Sequence, residues 1–432
     1  MSVTWTREQQ KVIDCRDRDI LVSAAAGSGK TAVLVERIIK RITDMKDPIE
    51  IDNLLVVTFT KAAAAEMRER IGAAIEKACE EHPDNSHLRR QSALIHNAMI
   101  TTIDSFCLFV VRNHFEEISL DPNFRIADEG EIRLLEKDTE DAVFEENYAC
   151  KRSSFLALID AYAGKKSDQA VKDMVMKLYR MSLSSPWPKE WLEDLLAPYR
   201  VETPQELLET EMIRDIADST GKLVADMRLQ LDKLYELCLA PDGPTAYAPT
   251  LEADAAMLAG AEELSGYEEL NDFLQKLTFG KLAAIRNFDG DVLKKEAVQN
   301  GRNAIKKELE ERKKKYYSMD VEALLAQLVR LRPVAEELVR LALAYTDAMA
   351  TAKRKKRIVD FSDIEHFALQ ILVDEKTKKR KRTAEEFRAH FAEIMIDEYQ
   401  DSNQVQEEIM RAISREEARL RPSTASSPQD WA

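Results

Sequence analysis

Apolar positions over the first 115 residues follow two alternating rhythms. Short unbroken apolar runs at 20–22, 54–58 and 99–103 predict buried strands. After the first of them Leu34, Val35, Ile38, Ile39 and Ile42 recur at spacings of three and four, which predicts a helix. Strands alternating with helices imply a parallel sheet covered by helices. From about 116 to 357 the rhythm changes to long, charged, helix-favouring segments such as 305–317 and 321–343, broken by proline-containing stretches at 184–204 and 240–250. One further apolar run, 392–396, reads as a strand that rejoins the sheet, and a helix is expected from about 402 to 413. The expected fold is therefore α/β: a core in two parts, 1–115 and 358–420, around a mainly helical insertion at 116–357. The Ser/Pro-rich segment 421–432 has no apolar period and is expected to be disordered.

Between the first strand-like run and the first long helix lies Ala24-Ala25-Ala26-Gly27-Ser28-Gly29-Lys30-Thr31. A loop that cradles phosphates needs backbone N–H groups turned inward, an ammonium for the outer phosphates and a hydroxyl for Mg²⁺. Gly27 and Gly29 supply the turn, Lys30 the charge and Thr31 the hydroxyl. These two are the only glycines before Gly72, as expected if the backbone requires them. Ala24 stands where the stricter pattern has glycine, and alanine fits there at negative φ. The helix that follows aims its positive end at the loop. ATP with Mg²⁺ is the expected ligand.

Composition narrows the class. The chain has 432 residues, 45% hydrophobic and 33% charged, enough for more than one compact core. No run approaches the roughly 20 apolar residues that span a bilayer, and the N-terminus lacks a basic segment followed by an apolar one. Five cysteines without a Cys-x-x-Cys pair, and six histidines away from them, argue for reduced thiols rather than disulfides or zinc, hence a cytoplasmic location with no membrane partner. The net charge of −15 repels nucleic acid at long range, so DNA contact would need local surfaces.

Several further segments carry candidate chemistry. Asp397-Glu398-Tyr399-Gln400-Asp401 directly follows the last strand, so Asp397 is expected at the metal and Glu398 at the attacking water. Gln9, one short helix before the loop, has an amide able to bond an adenine edge in both directions. Thr58-Phe59-Thr60 and Thr102-Ile103-Asp104-Ser105-Phe106 end two strands with hydroxyls and an aromatic, which suits a sugar-phosphate backbone and one base face. Each of these two segments also reads as a capped helix start. The basic runs 353–357 and 378–382 read as a solvated helix face or surface loop, with phosphate contact as the alternative.

Taken together, Gln9, Ala-Gly-Ser-Gly-Lys-Thr, Thr-Phe-Thr-Lys-Ala-Ala-Ala-Ala-Glu-Met at 58–67, Thr-Ile-Asp-Ser-Phe-Cys at 102–107, Val-Asp-Phe-Ser-Asp at 359–363 and Asp-Glu-Tyr-Gln-Asp resemble the superfamily-one DNA helicases in content and order. Within them the segments 58–67 and 121–128 resemble the larger, A-type polypeptides of heterodimeric helicase/nucleases. The resemblance implies a RecA-like motor that unwinds double-stranded DNA ends and walks along single strands in break repair, with the B-type polypeptide of the helicase/nuclease heterodimer as partner. It implies Lys30 on the phosphates, Thr31 and Asp397 at Mg²⁺, Glu398 as base, Gln400 sensing the γ-phosphate, and Thr58, Phe59, Thr102, Ser105 and Phe106 on the strand. Histidine often stands in such families where this chain has Asp104, and a carboxylate beside DNA phosphate is unfavourable unless it caps the helix. The resemblance also implies a second motor domain and a nuclease domain. Neither follows here, which predicts a truncated or frame-shifted product that binds ATP weakly and turns it over little. Alternatives are a repair helicase without nuclease, of the UvrD or Rep type, and a non-enzymatic, nucleotide-responsive DNA-binding module.

Overall fold

The computed structural model describes residues 4–415 apart from 17, 26, 45, 164–166, 262 and 287. Ala26 and the 421–432 tail therefore lie outside the described residues. Helices α1 (Arg7–Asp14) and α2 (Lys30–Ile42) precede β1 (Leu54–Thr58), α3 (Lys61–Glu81), α4 (Ser86–Leu94), β2 (Met99–Thr102) and α5 (Ile103–His114). The short β3 (Arg125–Ile126) leads into α6 (Glu129–Cys150), α7 (Ser153–Tyr162), α8 (Gln169–Ser182), α9 (Pro188–Asp194), α10 (Ala197–Arg200) and α11 (Pro204–Leu208). Next come α12 (Glu211–Leu239), α13 (Ala248–Ala259), α14 (Tyr267–Lys276), α15 (Val292–Tyr316) and α16 (Val321–Lys356). The chain continues through β4 (Ile358–Val359), α17 (Phe361–Leu372), α18 (Arg382–His390), β5 (Glu393–Ile396) and α19 (Gln404–Ile413). The fold is mostly helical α/β with a small parallel sheet.

That sheet has the order β2-β1-β5 with every pairing parallel. β1 is buried along its whole length, as a central strand covered on both faces must be. Its residues alternate by two between the faces. Leu55 and Val57 pack with Phe106, Val110, Ile364, Leu369, Val405 and Ile409 from α5, α17 and α19. Leu54 and Val56 pack with Ile38, Ile42, Met67, Ile71 and Ile75 from α2 and α3. Because the strands run parallel, the residues that follow Thr58, Thr102 and Ile396 emerge at one common edge.

The strand expected at 20–22 does not form. Ile20, Leu21 and Val22 are 37%, 61% and 42% exposed and pair with no strand. An apolar triplet becomes a strand only where a free edge lies beside it, and periodicity carries no information about that.

The chain divides into two compact units, one of 1–150, 172–191 and 342–432, the other of 151–171 and 192–341. The helical segment read as 116–357 is thus shared between them. In the first unit β3 pairs in parallel with β4, Lys172 bonds Asp141 at 2.9 Å and Arg180 bonds Glu136 at 2.9 Å. Those contacts join α6 and α8 to the sheet-bearing unit, and they link residues too distant in sequence for a local pattern to reveal. The second unit is helical. Its α12 and α15 close over Leu231, Leu251, Leu258 and Ile305, and the buried Arg302 pairs with Asp254 at 2.6 Å. Among the described residues no helix is long and apolar enough to cross a membrane.

Candidate nucleotide site

Gly27 and Gly29 both lie at positive φ, 77° and 84°, where side chains are disfavoured. A Cβ would meet nothing within 4 Å at Gly27 and only Gln9 Nε2 at 3.7 Å at Gly29. The backbone conformation, not space, calls for glycine. Ala24, Ala25 and Ser28 are exposed, and Ser28 N–H donates to the Ala25 carbonyl at 3.2 Å. Gly29 caps α2, so Lys30 and Thr31 begin the helix at its positive end.

The acidic pentapeptide meets this helix start. The Asp397 N–H donates to the Val57 carbonyl at 2.9 Å, which extends the ladder one residue beyond β5 and sets the direction of the side chain. Thr31 Oγ1 then donates to Asp397 Oδ2 at 3.2 Å, and Lys30 Nζ lies 3.9 Å from Glu398 Oε2. Gln400 Nε2 donates to the same Glu398 oxygen at 3.2 Å. Glu398 has φ 55°, a costly conformation for a residue with a side chain, and the turn it makes swings its carboxylate toward Lys30. Among the described residues no group of three or more His, Cys, Asp or Glu could hold a metal by itself. Mg²⁺ asks less of the protein, since phosphates and waters fill most of its octahedron. The Thr31 hydroxyl and the Asp397 carboxylate form a donor pair of that kind.

Gln9 reaches the loop from α1. Its Oε1 accepts from Thr6 N–H at 2.9 Å, and its Nε2 donates to the Ser28 carbonyl at 3.1 Å.

Residues 5–421 match the UvrD/REP helicase N-terminal domain. The chain belongs to that family. It is similar to the A chain of the ATP-dependent helicase/nuclease of Lachnoclostridium phytofermentans, 44% identical across 95% of this chain and 30% of the relative. The proteins of the same name from Heliobacterium modesticaldum and Geobacillus kaustophilus are 41% and 42% identical, each across 95% of this chain and 31% and 34% of their own length. The chain spans about a third of the length of the curated relatives it matches.

In this UvrD/REP-type chain the two Thr/Phe segments divide unequally between surface and core. Phe59 is 69% exposed, and Thr60 beside it caps α3 by accepting from Ala63 N–H at 3.1 Å. Thr58 is buried, with Oγ1 donating to the Thr60 carbonyl at 3.0 Å, so it shapes the turn from within. Thr102 is buried, accepts from Ser105 N–H at 3.3 Å and shares a hydrogen bond of 2.9 Å with the half-buried Ser105 hydroxyl. Phe106 is fully buried, edge-on to Phe387 at 5.8 Å. The expectation of a base-facing ring at Phe106 gives way to a core role, because the first turn of α5 points that position into the sheet. Asp104 is half-buried, and burial raises its pKa against the pull of Lys61.

Two buried arrangements carry no local signal in the sequence. Glu365 on α17 accepts from Asn403 Nδ2 at 3.2 Å and from Gln406 Nε2 at 2.6 Å, and so pins the start of α19 directly after the acidic loop. Lys353, read within a solvated basic run, is buried and paired with Asp360 and Asp363, the two acids of Val-Asp-Phe-Ser-Asp. Burial alone would depress its pKa, but Asp363, Tyr179 and Asp360 together raise it. The second basic run is also engaged within the fold, Arg380 bonding the Ala412 and Arg411 carbonyls at 3.0 Å and Lys378 lying 3.7 Å over the Trp187 ring.

Proposed function

We propose that this chain is the ATP-binding motor portion of a DNA helicase/nuclease that acts on double-stranded DNA ends in recombinational repair, built as a RecA-like core with a helical insertion. The observation that carries the reading is the pairing of Thr31 with Asp397 and of Lys30 with Glu398 at the end of a parallel sheet. Ligands of such sheets bind beyond the carboxyl ends of the strands. The names of the relatives favour this over a repair helicase without nuclease. Exonuclease activity belongs to those names and is not assigned to residues here.

Bound Mg²⁺, held by Thr31 and Asp397, neutralises phosphate charge. Lys30 exchanges Glu398 for the outer phosphates of ATP, which frees the Glu398 carboxylate to accept a proton from the attacking water. Gln400, bonded to Glu398, is the residue through which the γ-phosphate is sensed. Phe59 offers an exposed ring for stacking on a base of single-stranded DNA, with Thr60 and Ser105 as hydroxyl contacts and Thr58, Thr102 and Phe106 supporting them from beneath. The B-type polypeptide of the heterodimer is the protein partner, and the cytoplasm the location.

The test is equilibrium binding of a fluorescent ATP analogue to the full chain in Mg²⁺, with and without single-stranded DNA. Lys30→Ala is expected to weaken binding by roughly tenfold or more, as loss of a charge-assisted phosphate contact does. Equal affinity in the variant and the parent would remove the reading.

A further inference from the structure

Arg37 sits on α2 about two helical turns beyond Lys30, away from the phosphates, and yet touches three elements of the nucleotide site. It is 7% exposed. Its Nη1 donates to the Val12 and Cys15 carbonyls at 2.5 and 2.6 Å, at the C-terminal end of α1. Its Nε and Nη2 donate to Glu393 Oε2 and Oε1 at 3.2 and 3.3 Å, on the first residue of β5. Arg41, one turn on, lies 2.9 Å from the same carboxylate. The planar fork therefore spans two directions at once, toward the negative end of α1 and toward the strand that ends at Asp397.

α1 is the element that carries Gln9, and it is only eight residues long. A helix this short does not hold itself in place; its docking does. The Gln9 carboxamide spends one acceptor site on Thr6 N–H and one N–H on the Ser28 carbonyl. One lone pair on Oε1 and one hydrogen on Nε2 remain. That remainder is the complement of the adenine N6–H and N7 edge, whereas guanine presents O6 and N7, two acceptors.

We propose that Arg37 is a positioning residue for base selection: by clamping the end of α1 against α2 and β5 it holds the Gln9 amide where adenine is preferred over guanine. This rests on the reading of the site as an ATP site. Lysine in place of Arg37 keeps the charge near Glu393, but a single ammonium cannot bridge to the α1 carbonyls in the fixed geometry of the fork.

The experiment is competition of ATP and of GTP against a fluorescent ADP on the full chain in Mg²⁺, for the parent, Arg37→Lys, Gln9→Ala and the Arg37→Lys/Gln9→Ala pair. Arg37→Lys and Gln9→Ala are each expected to lower the ATP-over-GTP preference by about tenfold, with no further loss when combined. A general structural role would weaken both nucleotides alike and leave the ratio unmoved. A lowered ratio in Gln9→Ala with an unchanged one in folded Arg37→Lys overturns the inference alone. A parent that does not discriminate ATP from GTP overturns both the adenine reading and this inference. Should Arg37→Lys melt below the assay temperature, Arg37→Gln/Glu393→Gln, which removes both partly desolvated charges together, must show the same loss of preference.

Discussion

The Thr31 hydroxyl donates to Asp397 Oδ2 at 3.2 Å across a sequence separation of 366 residues. In a chain whose candidate Mg²⁺ donors are these two oxygens, replacing the carboxylate has a defined effect. Asp397→Asn is expected to weaken Mg²⁺-dependent ATP binding by roughly tenfold or more and to leave binding measured in a chelator unchanged. Titration of the nucleotide at several Mg²⁺ concentrations checks this, and equal losses with and without metal would contradict it.

Phe59 and Phe106 separate surface from core. Phe59→Ala is expected to lower affinity for single-stranded DNA by about tenfold, the worth of one base-aromatic stack, without moving the urea midpoint. Phe106→Ala is expected to cost about 3–5 kcal/mol of stability, as truncation of a buried phenylalanine does. Fluorescence anisotropy with an oligonucleotide and urea denaturation read the two effects independently.

Glu365 anchors the helix behind the acidic loop. Glu365→Ala leaves the Asn403 and Gln406 amides without their shared acceptor, which is expected to cost about 1–3 kcal/mol locally. Hydrogen exchange over residues 399–406 should quicken while exchange in β1 stays slow. Unchanged protection in that stretch would show that the Asn403 cap suffices without Glu365.

In the second unit, Glu337 is 3% exposed and accepts from Arg340 Nη2 at 2.6 Å and Ser154 Oγ at 2.8 Å. Burial works to raise its pKa, but the Arg340 fork and the Ser154 hydroxyl prevail and lower it. A carboxyl lowered on folding stabilises fully above its unfolded pKa, and that stabilisation fades as pH falls through the folded value. Glu337→Gln is therefore expected to be less stable at neutral pH by about 1–3 kcal/mol, with the gap to the parent closing on acidification. Urea denaturation of both proteins along a descending pH series measures it.

The strands at 54–58, 99–102 and 393–396 are legible because uninterrupted apolar runs in an α/β chain have few other uses, and α2 because its period of three and four is unbroken. Phe106 reads like Phe59 by composition, although helical phase distinguishes them: Phe106 shares a face with Val110, whereas Phe59 precedes its helix. Lys353 is obscured by four basic neighbours; the acids that make it a core residue lie in the next element. Arg37 leaves a faint trace, a charge set among the buried Val35, Ile38 and Ile42. Its partners Val12, Cys15 and Glu393 can be found only in three dimensions.

The bond from Asp397 N–H to the Val57 carbonyl makes strand alignment part of the chemistry. Side chains alternate sides along a strand, so a slip of β5 by one position would turn the Asp397 carboxylate away from Thr31 and bury it among hydrocarbon. Fidelity of sheet assembly and competence of the phosphate site are then a single property, and substitutions that loosen β1 would silence the site from below while every residue around the nucleotide stays intact.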